Sequence, residues 1–257
     1  MILVIDIGNT NVTIGVYKND SLLFVSRLHT KKQLTKDQCI MELTATFHHQ
    51  KVNTTLFKGA IISSVVPSVT DLFKRAIKQL INIEPIVVSL DLNLDLPIKI
   101  RYPKTLGSDL IAGAVGAINK IGFPCIVVDL GTATTFSIID KNKNFIGVSI
   151  APGVKTSFDS LVSSAELLSF VDFDNTIKVI GTTTSNSINS GLIYGTAAMI
   201  DGMCDRIEDE LGYKCKAIAT GGFSKSIIKN CKREIMVCNN LLLEGLKFIY
   251  DKNTNLN

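Results

Sequence analysis

The sequence is poor in the residues that usually bind transition metals, and those present lack the usual spacing. It contains six cysteines and three histidines in 257 residues. No two cysteines form a C-x-x-C pair, and no histidine flanks a cysteine at the spacing of metal ligands. We therefore expect no zinc site and predict scattered reduced thiols, as in a cytosolic protein.

Targeting and membrane-spanning segments are also missing from the sequence. No run of about 18 apolar residues occurs, so no transmembrane helix is predicted. The N-terminal residues lack the basic region and apolar core of a signal peptide, which predicts a cytoplasmic location. The net charge is only +4, without a dense stripe of lysine and arginine. This composition argues against nucleic acid as a partner and weakly favours an anionic ligand.

Two common nucleotide-binding motifs are absent. The sequence contains no G-x-x-x-x-G-K-[ST] and no G-x-G-x-x-G, so neither a P-loop nor a Rossmann dinucleotide site is indicated. Apolar material is plentiful, because 46% of the residues are hydrophobic and only 19% are charged. That is enough for a folded core, in one large domain or in two smaller ones.

The N-terminal stretch ILVIDIGNTNVTIGVY begins like a buried strand and then turns polar. The apolar run leads to Asp6, which is followed by Gly8 and small polar residues before a second apolar run begins. Glycine and asparagine favour turns for local reasons, so an ordinary β-turn explains this stretch when it is taken alone. The other interpretation is a hairpin that binds phosphate.

A second copy of this layout occurs near the middle of the chain. Residues 125–140 read CIVVDLGTATTFSIID, in which a strand leads to Asp129 and then to Gly131. A turn cluster and a third apolar strand follow in both copies, at 22–28 and at 145–150. Chance can repeat one D-x-G motif, but it rarely repeats a whole order of strands and turns. We therefore predict two similar domains, each opening with antiparallel strands.

The chemistry of such a pair of hairpins suits a nucleotide. Glycine allows the backbone to approach a ligand closely, and backbone N–H groups and hydroxyls then donate to phosphate oxygens. An aspartate beside phosphate is repulsive unless a cation lies between them, such as hydrated magnesium or a monovalent ion. Two hairpins that face each other across a cleft would hold a phosphate chain from both sides. The alternative is that both aspartates only cap turns.

The remaining chain alternates between helical and strand patterns. Strands are predicted at 56–66, 86–89 and 216–220, and helices at 36–49, 67–80, 107–119, 188–211 and 241–250. Two further helices are predicted after Pro152-Gly153, ending near Leu168, and from about Ser224. The strand at 216–220 leads to Gly221-Gly222, which suits either a tight turn or the close approach of a base or ribose.

Eight short stretches carry a resemblance to a known family. They are DIGNTN at 6–11, SSVVPS at 63–68, GSD at 107–109, DLGTATT at 129–135, APG at 151–153, GTTTSNSINSGLIYG at 181–195, ATGGF at 219–223 and LLLEGL at 241–246. In order and spacing, over nearly the whole chain, they resemble the type III pantothenate kinases, members of the acetate kinase, sugar kinase, Hsp70 and actin superfamily.

The resemblance implies an α/β fold of two duplicated ribonuclease H-like domains, as in actin-like ATPases, with a cleft between them. We expect the domains to span residues 1–115 and 116–257. The implied activity is the ATP-dependent phosphorylation of pantothenate to 4′-phosphopantothenate, the first step of coenzyme A synthesis. It also implies magnesium with the ATP, a monovalent cation (potassium or ammonium), and a homodimer.

The resemblance assigns roles to particular residues. Asp109 is the expected general base, although aspartate is also a good helix N-cap, and Asp129 is expected to hold the monovalent cation. ATP is expected to contact Asp6, Ile7, Gly8, Asn9, Thr10, Asn11, Val12, Thr13 and Thr132. Pantothenate is expected to contact Tyr102, Gly107, Ser108, Asp109, Leu110 and Thr184.

Three departures from the family pattern lie near the expected substrate residues. The residue after the general base is arginine in the family and Leu110 here, the segment at Tyr102-Pro103 is shortened, and Ile146-Gly147 replaces a Gly-Gly pair. We hypothesise that Arg101 or Lys104 supplies the missing positive charge. Two other functions stay open at this point: a nucleotide-binding regulator without catalysis, and a kinase of another small hydroxylated acid.

Overall fold

The computed structural model describes residues 1–164 and 178–254, which form two five-stranded sheets and seven α-helices. The first sheet contains β1 (Ile2–Ile7), β2 (Asn11–Lys18), β3 (Ser21–His29), β4 (Gly59–Ser64) and β5 (Ile86–Val87). The second contains β6 (Cys125–Leu130), β7 (Ala133–Ile139), β8 (Phe145–Pro152), β9 (Lys216–Thr220) and β10 (Met236–Val237). The helices are α1 (Lys36–His49), α2 (Pro67–Ile81), α3 (Ser108–Ile121), α4 (Val154–Ser164), α5 (Thr184–Leu211), α6 (Ser224–Ile228) and α7 (Leu241–Thr254).

The two sheets have the same topology. Their strand orders are β3-β2-β1-β4-β5 and β8-β7-β6-β9-β10. In each sheet the first three strands in the chain pair antiparallel, and the last two continue the sheet in parallel. This duplicated order is the one expected for ribonuclease H-like domains, so the predicted α/β fold class is confirmed.

The chain divides into two compact units that each contain one sheet. The first comprises Met1–Pro97, Arg101–Asn119 and the chain from Leu241 onward, and the second comprises Ile98–Ile100 and Lys120–Asn240. The first unit therefore includes the C-terminal helix α7, which the predicted boundary after residue 115 assigns to the second domain. Hydrophobic patterning identifies α7 as a helix but does not say which sheet it covers.

The first unit has an apolar core on one face of its sheet. Alternate residues of β1 and β2, such as Ile5 and Ile14, pack there with Phe47 of α1 and Phe73 of α2. β1 is buried along nearly its whole length, as expected for a strand in the middle of a sheet that is covered on both faces. Only its penultimate residue, Asp6, is partly exposed within the strand.

Helices α3 and α7 of the first unit approach each other through glycines. A Cβ atom added to Gly245 would lie 1.9 Å from the Ala112 carbonyl oxygen, and one added to Gly116 would lie 2.4 Å from the Leu241 carbonyl oxygen. Any side chain at these two positions would force the helices apart. The small residues of α3 that the sequence shows therefore allow backbone contact between two helices.

In the second unit, α5 packs against the second sheet. A buried ion pair holds the end of α5. Val128, Phe136 and Ile200 lie in its core. The Glu208 carboxylate is almost fully buried and pairs with the guanidinium of Arg233. All six cysteines lie within the described residues and are free thiols. In the same residues, no helix is long and apolar enough to cross a membrane.

Most predicted elements are present, with shifted ends. The helix predicted at 36–49 and the strand predicted at 216–220 have the predicted bounds. The strand predicted at 56–66 is shorter, because a 3₁₀ turn at Thr54–Leu56 precedes β4. The predicted end of α4 near Leu168 lies outside the described residues. The short strand β10 was not predicted, because two residues are too few to show the alternation of apolar and polar side chains that identifies a strand.

Candidate active site

The first hairpin places Asp6 at the edge where β1 and β4 end. Asp6 lies opposite Thr13 of β2 and beside Ser63 of β4. The turn is closed by the Gly8 amide, which donates to the Asn11 carbonyl at 2.9 Å. The predicted ATP contacts Asn9, Thr10 and Asn11 are exposed around this turn. The turn therefore presents amides, hydroxyls and one carboxylate together.

The backbone of this hairpin is held by the residue that follows β3. The Thr30 hydroxyl donates to the Gly8 carbonyl at 2.7 Å, and the Thr30 amide donates to the Thr10 carbonyl at 2.9 Å. Ile7 and Val12, which were also predicted to contact ATP, point into the core and are at most 1% exposed. Their backbone is the part that a ligand could reach. The hairpin is therefore a fixed turn on a hydrophobic base.

The second hairpin repeats this arrangement in the other unit. Asp129 lies opposite Thr135 of β7 and beside Thr220 of β9, as Asp6 lies opposite a threonine and beside a serine. The Gly131 amide donates to the Ala133 carbonyl at 3.1 Å. Thr132 is exposed at the turn. The two copies of the sequence repeat therefore place their aspartates at equivalent positions in the two sheets. The second turn is one residue shorter than the first.

Two glycines pack directly against the second hairpin. Gly221 has φ of 94°, and a Cβ atom there would lie 2.5 Å from the Leu130 carbonyl oxygen and 2.6 Å from Asp129 Oδ1. A Cβ atom on Gly153 would lie 2.4 Å from the carbonyl oxygens of Gly131 and Thr132. Both positions exclude a side chain, so bare backbone lies against the turn of the second hairpin and, at Gly221, against the Asp129 carboxylate.

The surroundings of Asp129 fit a hard cation. The Thr135 hydroxyl, on the same face of the sheet, is buried and has no hydrogen-bond partner among the described residues. Carboxylate, hydroxyl and carbonyl oxygens are the donors that potassium and magnesium prefer, whereas zinc favours sulfur and nitrogen. Within residues 1–164 and 178–254, no group of three or more His, Cys, Asp or Glu side chains could hold a metal ion. A cation here would use few charged ligands.

Asp109 lies in the first turn of α3, and its carboxylate folds back over Gly107. A Cβ atom on Gly107 would lie 2.3 Å from Asp109 Oδ1, so the missing side chain makes room for the carboxylate. The Leu110 amide donates to Oδ1 at 2.8 Å. Burial raises the pKa of the Asp109 carboxyl above its ordinary value, and the amides of Leu110 and Asp109 itself offset part of that rise.

The Ser108 hydroxyl forms hydrogen bonds with other residues of the protein. Its Oγ accepts from the Ser64 amide at 2.8 Å, donates to the Ser64 carbonyl at 2.9 Å, and lies 3.1 Å from Ser63 Oγ. The predicted substrate contact at Ser108 would therefore compete with three existing hydrogen bonds. The same bonds bring Asp109 close in the fold to Ser63, which is the neighbour of Asp6.

The other predicted substrate residues are exposed or half-buried. Tyr102 is 62% exposed, and the guanidinium carbon of Arg101 lies 5.2 Å from the centre of its ring. Leu110 is half-buried beside Asp109. Thr184 is exposed at the start of α5 in the second unit, next to Thr183, whose hydroxyl caps the helix by accepting from the Asn186 amide.

Replacing Gly107 by Ala is expected to lower kcat about tenfold, because the methyl group occupies the space of the Asp109 carboxylate. The free energy of unfolding should fall by about 1 kcal/mol, since Gly107 precedes the first residue of α3 and alanine is less favourable than glycine at that position. Steady-state kinetics and urea denaturation check this expectation. The matched control is Gly147→Ala, where a Cβ atom meets nothing within 4 Å. An unchanged kcat in Gly107→Ala would contradict this role for Gly107.

Several residues of the site were not predicted from the sequence. Ser63 and Thr220 lie beside the two aspartates on β4 and β9, strands that are distant in the chain from the aspartates they neighbour. Thr30 bonds the first hairpin from the residue after β3. The internal repeat could have indicated two of these residues, because Ser63 and Thr220 occupy the same register position in the two sheets. Aligning the parallel strands of the two halves would have identified both.

The chain is similar to known proteins over its full length. Residues 2–206 match the family model described as type III pantothenate kinase. A type III pantothenate kinase of Shouchella clausii is 40% identical, over 98% of this chain and 100% of that protein. A type III pantothenate kinase of Halalkalibacterium halodurans is 37% identical, with the same two coverages.

Solved structures share the fold at low sequence identity. A Campylobacter jejuni protein assigned to the Baf family of transcriptional activators has a TM-score of 0.62 and 20% identity, covering 99% of this chain and 100% of its own. The activator of 2-hydroxyisocaproyl-CoA dehydratase from Clostridium difficile, solved with bound ADPNP, has a TM-score of 0.57 and 11% identity, covering 98% of this chain and 94% of its own. At such identities these likenesses show the fold alone.

Proposed function

Because the chain belongs to the type III pantothenate kinase family, we propose that it transfers the γ-phosphoryl group of ATP to the primary hydroxyl of pantothenate. The product is 4′-phosphopantothenate, formed in the first step of coenzyme A synthesis. The observation that carries the proposal is the Asp109 carboxylate, which is held over Gly107 with a raised pKa. A buried carboxylate of this kind is a better base than one in water.

Asp109 is the proposed general base. Its carboxylate accepts the proton of the attacking hydroxyl as the bond to the γ-phosphorus forms and the bond from that phosphorus to the bridging oxygen breaks, which releases ADP; no covalent enzyme intermediate is needed. The hydrogen bond from the Leu110 amide fixes Oδ1 and thereby orients the carboxylate that receives the proton. Phosphoryl transfer asks a protein mainly to position the reactants and to stabilise charge. One positioned carboxylate is therefore sufficient.

The two hairpins are proposed to bind the nucleotide. Gly8, Asn9, Thr10 and Asn11 offer amide and hydroxyl donors to the phosphates, and Thr132 offers its hydroxyl from the second hairpin. Asp6 would hold the magnesium that accompanies ATP, and Asp129 with Thr135 would hold a monovalent cation, potassium or ammonium. When bound, such cations neutralise phosphate charge.

The family membership also supports a homodimer as the assembled form. Sedimentation velocity of the purified protein measures this directly. A species of twice the chain mass is expected at the concentrations used for kinetics.

Arg101 is the proposed source of the positive charge that Leu110 does not provide. The ring of Tyr102 restricts its guanidinium, and a guanidinium gives a carboxylate two parallel hydrogen bonds. Arg101→Ala is expected to raise the KM for pantothenate about 10- to 100-fold and leave the KM for ATP unchanged, since a lost bond to a charged group costs about 1.5–3 kcal/mol. Lys104→Ala is the matched comparison, with a smaller expected effect. An unchanged pantothenate KM in both variants would contradict this assignment.

The proposed function is tested by ADP release with pantothenate and with a panel of other small hydroxylated acids, each with and without potassium. We expect turnover with pantothenate and stimulation by potassium. Faster turnover with another acid would assign the chain a different substrate. ATP binding without turnover of any acid would favour a regulatory role.

A further inference from the structure

We propose that Ser108 and Ser63 form a positioning pair, in which two buried hydroxyls set the place of Asp109 relative to the strand beside Asp6. The inference rests on the proposed role of Asp109 as general base. It assigns Ser108 to catalysis through Asp109, without contact between Ser108 and the substrate.

The hydrogen bonds of Ser108 fill its whole capacity. A serine hydroxyl has one proton to donate and two lone pairs that accept. Ser108 gives its proton to the Ser64 carbonyl at 2.9 Å and accepts from the Ser64 amide at 2.8 Å. Ser63 Oγ, at 3.1 Å, must then be the donor to Ser108. Ser63 is 0% exposed and Ser108 is 9% exposed, so water cannot easily replace either partner.

The strand end that receives Ser108 is itself fixed. The Ser64 hydroxyl accepts from the Val66 amide at 3.0 Å and from the Thr70 hydroxyl at 2.6 Å. These two bonds join the end of β4 to the start of α2. The first turn of α3 is therefore tied to a strand end that is itself bonded to a second helix.

The carboxylate of Asp109 moves with this turn. Its hydrogen bonds come from the amides of Leu110 and of Asp109 itself, and the room it occupies is left by Gly107. All three belong to the same helical turn as Ser108. A displacement of the turn of about 1 Å displaces the carboxylate equally, and misplacement on that scale can cost about 100-fold in rate.

The register of the sheet connects this pair to the phosphate side of the site. Ser63 lies beside Asp6 across the parallel strands β4 and β1. One hydroxyl-to-hydroxyl bond therefore links the strand next to the first hairpin with the helix that carries Asp109. The second unit has Thr220 at the equivalent strand position.

The test is a double-mutant cycle of Ser63→Ala and Ser108→Ala, measured in kcat, in both KM values and in urea denaturation. We expect Ser108→Ala to lower kcat about tenfold or more with both KM values within about twofold of wild type. The double variant should lose little more kcat than Ser108→Ala alone, because the two hydroxyls act as one unit. The matched control is Thr46→Val, which removes a buried hydroxyl bonded to the Glu42 carbonyl in α1, and its kcat should match wild type.

The same substitutions in an Asp109→Asn background separate this inference from the proposed function. In that background Ser108→Ala should change the residual rate less than about twofold, because its effect passes through Asp109. Ser108→Thr, which keeps the hydroxyl, should restore kcat to within about threefold of wild type and serves if Ser108→Ala does not fold.

Three results would overturn the positioning role. They are an unchanged kcat in folded Ser108→Ala, an equal loss of rate in the Asp109→Asn background, and a rise in the pantothenate KM at constant kcat. A wild-type kcat in Asp109→Asn itself would instead remove the proposed base. That result is independent of the serine variants, so the two failures are distinguishable.

Discussion

Asp109→Asn is expected to lower kcat about 10²- to 10⁴-fold, which is the range for loss of a general base. This corresponds to about 2.7–5.4 kcal/mol of transition-state stabilisation. The KM for ATP should change little, because the asparagine side chain keeps the shape of the aspartate and the hairpin at Asp6 is untouched. Pre-steady-state measurement of phosphoryl transfer checks that the chemical step is the one slowed.

The pH dependence of the wild-type enzyme reports the same group. The base must be deprotonated, so kcat/KM falls as pH drops through the pKa of Asp109 in the free enzyme. Because burial raises that pKa, the acid limb should lie above the ordinary aspartate value of about 3.9. The pH profile of the residual activity of Asp109→Asn should lack this fall in kcat/KM at low pH. An acid limb that is identical in wild type and variant would contradict the assignment.

The stability of Asp109→Asn gives a second check, because the variant should lose rate but should not lose stability. The folded protein binds the Asp109 proton more tightly than the unfolded chain does, so the ionised carboxylate costs stability at neutral pH, and this cost disappears as pH falls through the two pKa values. Asp109→Asn should therefore be at least as stable as wild type at pH 7. The matched control is Asp71→Asn, which removes an exposed carboxylate paired with Arg75 on α2. It should keep the wild-type kcat.

Gly221→Ala is expected to lower the free energy of unfolding by about 3 kcal/mol or more. The backbone of Gly221 is left-handed at φ of 94°, and the added methyl would overlap the Leu130 carbonyl and the Asp129 carboxylate. Positive φ and contact with fixed backbone each cost about 1–3 kcal/mol. Relief of the overlap would also displace Asp129, the proposed ligand of the monovalent cation, so this proposal predicts that a higher potassium concentration is needed for half-maximal activity. Urea denaturation and a potassium titration measure the two effects.

The neighbouring glycine provides the control. Gly222→Ala adds the same methyl one residue later, where nothing lies within 4 Å and φ is not in the positive range. It should leave stability and potassium dependence close to wild type. Equal behaviour of the two variants would contradict the close approach at Gly221.

The hairpins could be predicted from the sequence because their determinants are local. A run of apolar residues, an aspartate at its end and a glycine two residues later specify a strand and a tight turn without knowledge of distant residues. Repetition of this pattern at Asp6 and Asp129 then predicted the duplicated fold. The structure confirms the fold class, and the comparisons confirm the family.

The remaining features depend on contacts between distant parts of the chain. Helix α7 packs against α3 where Gly245 meets Ala112, and against β4 of the first sheet where Tyr250 meets Gly59, and no local pattern encodes those contacts. Ser108 was predicted to touch the substrate because it lies in the GSD motif, which stays a prediction, whereas its hydrogen bond with Ser64, 44 residues away, is seen only in the structure. Polar residues beside a catalytic residue look the same in sequence whether they bind a ligand or the protein.

The most direct test of the central claim follows labelled phosphate from γ-labelled ATP in the presence of pantothenate and potassium. For the wild type we predict one labelled 4′-phosphopantothenate for each ATP consumed, and background ADP release when pantothenate is omitted. Asp109→Asn should form this product at least about 100-fold more slowly. Folded wild-type protein that forms no labelled product, or that hydrolyses ATP equally without pantothenate, would contradict the account.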